Sequence, residues 1–116
     1  MSRPNAKRPR VIDWMGGPSY RPLLEGEPAT CGMRSGRVEL ATGEEIGEHS
    51  TGRHEEVLVV IDGTGQVHVE GHDPLTIRGG QEAYIPPQSK HNVRNTGEGT
   101  LRYIYVVAPV AAANEG

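Results

Sequence analysis

Residues 56–70 read EVLVVIDGTGQVHVE, and this stretch decides the fold class. EVLVVI is the longest apolar run of the chain and is rich in β-branched side chains. Such side chains lose rotamer freedom in a helix but pack well on a pleated surface. QVHVE alternates polar and apolar residues, the period of a half-buried strand. Between them, DGTG carries the turn chemistry of a β-hairpin, which predicts that the two flanking strands pair with each other. On a strand, Glu56, Leu58 and Val60 share one face, directed into a closed interior. Val57, Val59 and Ile61 then need cover from a second sheet or a subunit.

The same rhythm runs outward in both directions. SGRVEL (35–40), ATGEEIG (41–47), LTI (75–77), EAYIP (82–86), HNVRN (91–95) and LRYIYVV (101–107) alternate strand and turn signals. No stretch carries a convincing helical period. Many short strands at this spacing predict an all-β fold, an antiparallel sandwich or barrel. Glycine (16) and proline (9) suit short strands joined by tight turns.

The chain has 116 residues, the size of one domain. Residues 1–10, MSRPNAKRPR, read as a flexible basic arm. Residues 11–32 read as a covering segment in which VIDW could form a short strand and Trp14, Leu23 and Leu24 cover an open face or a partner. The barrel is expected over 33–107, with a loose tail over 108–116. Net charge is −3 with both signs mixed and few aromatic residues, which argues against nucleic acid as a partner. The N-terminus lacks the apolar run of a signal peptide, and no stretch reaches the ~18 apolar residues of a membrane span. A cytoplasmic protein with no membrane partner is the expectation. The single cysteine, Cys31, excludes an internal disulfide and reads as a small, partly buried residue.

The chemistry concentrates in HSTGRHEE, residues 49–56. His54 and Glu56 share a strand face, and the bend at STG can fold His49 back beside Glu56. His91 opens a later strand. Imidazoles and a carboxylate converging inside a barrel make a site for a divalent transition ion. The competing reading leaves His49 and His54 as exposed turn residues, with Glu56 at the rim.

These residues resemble the cupin superfamily, small jelly-roll β-barrels. The first cupin motif reads G, five residues, H-x-H, three or four residues, E, six residues, G; here Gly43, His49-Ser50-Thr51, Glu56 and Gly63 stand at those spacings. The second reads G, five residues, P-x-G, two residues, H, three residues, N; here Gly80, Pro86-Pro87-Gln88, His91 and Asn95 match. The resemblance implies His49, Glu56 and His91 as metal ligands, Asn95 as structural, and Gly43, Gly63 and Gly80 as turn glycines. It implies one ion, of Zn, Fe, Mn or Ni. Two positions depart from the pattern: Thr51 stands where a second ligand histidine belongs, and Gln88 replaces the motif glycine. Three readings stay open for Thr51. His54 supplies the missing imidazole, two histidines and one carboxylate suffice, or the metal has been lost.

Thr51, Tyr84 and Gln88 are candidates for substrate contact. His68 and His72 read as surface residues, Tyr103, Tyr105 and Val107 as packing, Glu55 as solvated, and Arg37 and Glu39 as cross-strand pairing partners. The function readings are a metalloenzyme of dioxygenase, isomerase or lyase type acting on a small polar molecule, a non-catalytic binding or sensing barrel, and a dimeric interaction module. A homodimer is expected because small barrels expose strand edges.

Overall fold

A computed structural model describes residues 7–111, leaving the first six residues of the basic arm and the last five of the tail outside the described residues. Nine strands form: β1 (Tyr20–Glu25), β2 (Arg34–Leu40), β3 (His49–Ser50), β4 (His54–Asp62), β5 (Thr64–Val69), β6 (Leu75–Arg78), β7 (Glu82–Ile85), β8 (Lys90–Asn95) and β9 (Leu101–Pro109). There is no helix among the described residues. The strands build a five-stranded sheet, β1-β2-β9-β4-β7, and a four-stranded sheet, β3-β8-β5-β6, with antiparallel pairing throughout. This is the all-β antiparallel jelly roll expected from the alternation.

The core lies between the sheets. Leu58, Val60, Ala83, Ile85, Val38, Leu40, Leu101 and Tyr103 face it from the larger sheet, and Val67, Val69, Ile77 and Val93 from the smaller. Each fully buried aliphatic side chain here contributes roughly 1.5–3 kcal/mol. Along β4, Glu56, Leu58 and Val60 are buried while Val59 is exposed, so strand alternation sets the inward face as expected.

DGTG is not a hairpin. β4 pairs with β7 and β9, whereas β5 pairs with β6 and β8. Gly63, at φ +93°, turns the chain from one sheet into the other. A Cβ at this position would collide with the backbone of Thr100 and Leu101, so the corner requires glycine. Local turn chemistry was right about the bend; burial on two facing sheets decided that it joins layers rather than neighbours.

The N-terminal segment forms no strand at VIDW, and Val11 is exposed. It forms a strap over the outer face of the larger sheet, ahead of the edge strand β1. Arg37 holds this strap, donating from Nη1 to the carbonyls of Trp14 (2.7 Å) and Gly16 (2.8 Å) and from Nη2 to that of Pro18. Its side chain is buried and its Nε has no partner. Arg37 thus bonds the strap, not a side chain across the strands as its cross-strand reading expected. Glu39 instead accepts from Arg102 Nε at 2.7 Å. Cys31 is exposed rather than partly buried.

Candidate metal centre

Glu56 enters the cavity from β4 of the larger sheet, where it pairs with Val107 and Ile85. His49 and His91 enter from the smaller sheet, directly opposite one another on β3 and β8. His49 is brought in by pairing beside His91 in the second sheet, rather than by folding back along β4. One donor atom from each of His49, Glu56 and His91 lies within 4.8 Å of the others. The imidazole centroids are 4.2 Å apart.

Backbone carbonyls set the state of both rings. His49 Nδ1 lies 2.9 Å from Gly47 O, and His91 Nδ1 lies 3.0 Å from Ser89 O. A carbonyl only accepts, so each Nδ1 carries the hydrogen and the neutral ring presents its lone pair at Nε2. His91 Nε2 is buried and has no hydrogen-bond partner, although Glu56 Oε1 lies 2.9 Å away. Locked tautomers with free Nε2 atoms, a carboxylate and an orphaned buried nitrogen are what a divalent transition ion needs. The residues fit such an ion.

Burial by itself disfavours the charged form of His91. The Glu56 carboxylate and the Ser89 carbonyl outweigh it and raise the ring's pKa above its usual value. A metal ion bound there would compete with a proton for the same nitrogen.

The other candidates fall at different distances from this centre. Thr51 is buried and lines the cavity, but its hydroxyl is committed: it donates to Pro86 O (2.7 Å) and accepts from Ser89 N (3.0 Å), tying the turn before β4 to the turn before β8. His54 begins β4 beside Pro109, half-buried, and belongs neither to the three-residue donor group nor to the cavity lining. Tyr84 lies on the outer face of β7, where its hydroxyl donates to Glu55 at 2.8 Å. Gln88 is exposed and adopts φ 57°, so the turn keeps the left-handed conformation of the motif glycine. Asn95 is buried and structural, donating to Leu40 O and Gly99 O and accepting from Gly97 N. His68 alternates with buried Val67 and Val69 and points away from the core, and His72 sits in an exposed turn.

The cavity measures about 480 Å³ and has a second wall, in which Tyr103 and Tyr105 pack as expected but Tyr20 and Arg34 were not marked by the sequence. Tyr20, Arg34, Tyr103, Tyr105 and Val107 line it together with the triad. Tyr20 lies in a turn-rich stretch with no clean alternation, so nothing local marked it as part of the cavity lining. Burial raises the phenol pKa values of Tyr103 and Tyr105, which keeps both hydroxyls as donors. Tyr105 leans across Gly36, where a Cβ would stand 2.6 Å from its ring.

The Cupin domain family model matches residues 36–107, spanning both motifs and all three triad residues. The chain belongs to the cupin family. This cupin is 33% identical over 114 residues to polyketide synthase CurC of Streptomyces cyaneus, covering 90% of this chain and 72% of that protein. It is 35% identical over 98 residues to protein SchB of Streptomyces halstedii, covering 82% and 69%. Its fold is similar to that of an RmlC-like cupin family protein of Methanocaldococcus jannaschii, with a TM-score of 0.74, 20% identity, and coverage of 87% of this chain and 91% of that one.

Proposed function

We propose that this cupin is a metal-dependent enzyme acting on a small, oxygen-rich molecule made by a polyketide synthase. The observation that carries the reading is the buried, unpartnered Nε2 of His91, aimed into a cavity it shares with His49 and Glu56. Similarity to polyketide synthase CurC supports the substrate source. Bound there, a divalent Zn, Fe, Mn or Ni ion supplies Lewis acidity toward a carbonyl or enol oxygen. The chain's own part is to hold two imidazoles in the lone-pair tautomer, to fix the flanking turns through Thr51, and to close the cavity with apolar and phenolic side chains. Isomerase, lyase and dioxygenase chemistry all begin from such a site. Two copies pair through the outer face of the larger sheet; the exposed Val59 and Ile61 support this part of the reading.

Elemental analysis of protein purified without chelator tests the proposal. About one divalent ion per chain is expected in the wild type, and none in His91→Ala. A wild-type protein that takes up no ion ends it.

A further inference from the structure

Three of the chain's four tyrosines line the triad's cavity, and the chain has no phenylalanine. Packing alone does not need those hydroxyls. Tyr103 is 2% exposed, faces inward between Val38 and Val60, and lines the cavity. On a cavity wall a phenol hydroxyl offers a ligand a hydrogen bond that a phenylalanine of the same shape would not. Nearer the mouth, the hydroxyls of Tyr20 and Tyr105 lie 3.1 Å apart. One of the two donates to the other, which leaves the second hydrogen available to a third group. Arg34 adds a cation to the same lining.

We propose that Tyr103, Tyr105 and Tyr20 form a hydroxyl wall that recognises the acceptor oxygens of a conjugated, enolic polycarbonyl ligand, with Tyr103 donating to it directly. This rests on the reading that the triad side holds an ion and takes the other end of the ligand. Each phenol hydroxyl donates one hydrogen and can accept another, and Arg34 only donates, so the wall suits a ligand rich in carbonyl and enol oxygens. Its donors stand at separate points, Tyr103 deep and the Tyr20–Tyr105 pair near the mouth, so a ligand with several spaced oxygens satisfies more of them than a monocarbonyl does. The flat phenol faces suit a conjugated, planar framework. Gly36 leaves the room in which the Tyr105 ring lies.

Calorimetric titration of the metal-loaded full chain with 2-acetylcyclohexane-1,3-dione, against the less oxygenated 2-acetylcyclohexanone, tests the wall. The wild type is expected to bind the triketone more tightly. Tyr103→Phe is expected to lower triketone affinity about 10-fold and to erase the preference, with the ion-to-chain ratio unchanged. Tyr84→Phe, on the outer face, is expected to change neither. A Tyr103→Phe protein that keeps both affinity and preference overturns the proposal, as does wild-type protein that shows no saturable triketone binding. If Tyr103→Phe fails to fold, the Tyr20→Phe/Tyr105→Phe double variant carries the same readout. Failure of the metal reading shows separately, as wild-type protein without ion. The titration is then read on that protein, where a Tyr103-dependent preference supports the wall and its absence overturns it.

Discussion

His91 Nε2 and Glu56 Oε1 lie 2.9 Å apart across the gap between two sheets, yet the nitrogen makes no hydrogen bond. Each group comes from a different layer, and each is buried. A proton on Nε2 or a cation between the two groups offsets the cost of burying them side by side.

Ion binding should depend on three residues. His49→Ala, His91→Ala or Glu56→Ala is expected to reduce the ion-to-chain ratio to near zero by elemental analysis. His54→Ala is expected to leave it near one, because His54 stands outside the donor group. Loss of the ion in His54→Ala would make His54 the fourth ligand and refute the three-residue set.

Metal removal should invert a pH dependence. The raised pKa of His91 in the fold means that its stabilising contribution is fully present below about pH 6.5, the unfolded value. That contribution is lost as pH rises through the higher folded value. Chelator-treated protein should thus lose stability over this window in urea titrations. Metal affinity should rise over the same window, because the ion displaces a proton. Glu56→Gln should flatten the slope of the metal-free protein.

Arg37→Leu should release the strap. The substitution removes the donors that hold the carbonyls of Trp14, Gly16 and Pro18. Destabilisation of about 1–3 kcal/mol is expected in urea unfolding. Limited proteolysis should show new cleavage around residues 14–18. A variant as protease-resistant as the wild type would show that the strap is held by packing instead.

Gln88→Gly should stabilise the fold by up to about 1 kcal/mol, since glycine relieves the left-handed strain and gives back part of the gain as unfolded-state entropy. Thermal unfolding checks the sign. A fall in the melting temperature would mean that the exposed glutamine side chain stabilises the turn.

The strands from β2 to β9 were legible because alternation is a local property: a period of two assigns each residue a face before any partner is known. Only the two-residue β3 escaped within that span, being too short to alternate. The convergence of His49, Glu56 and His91 was legible from motif spacing, and the bend at Gly63 from its turn residues. Four features belonged to the tertiary structure alone. These are the sheet that each side of Gly63 joins, the route by which His49 reaches the cavity, the carbonyl partners of Arg37, and the phenolic wall that includes Tyr20. Each depends on which distant strands pair and which faces meet. That choice is made by burying two apolar sheet faces against each other, a global condition that no short window of sequence contains.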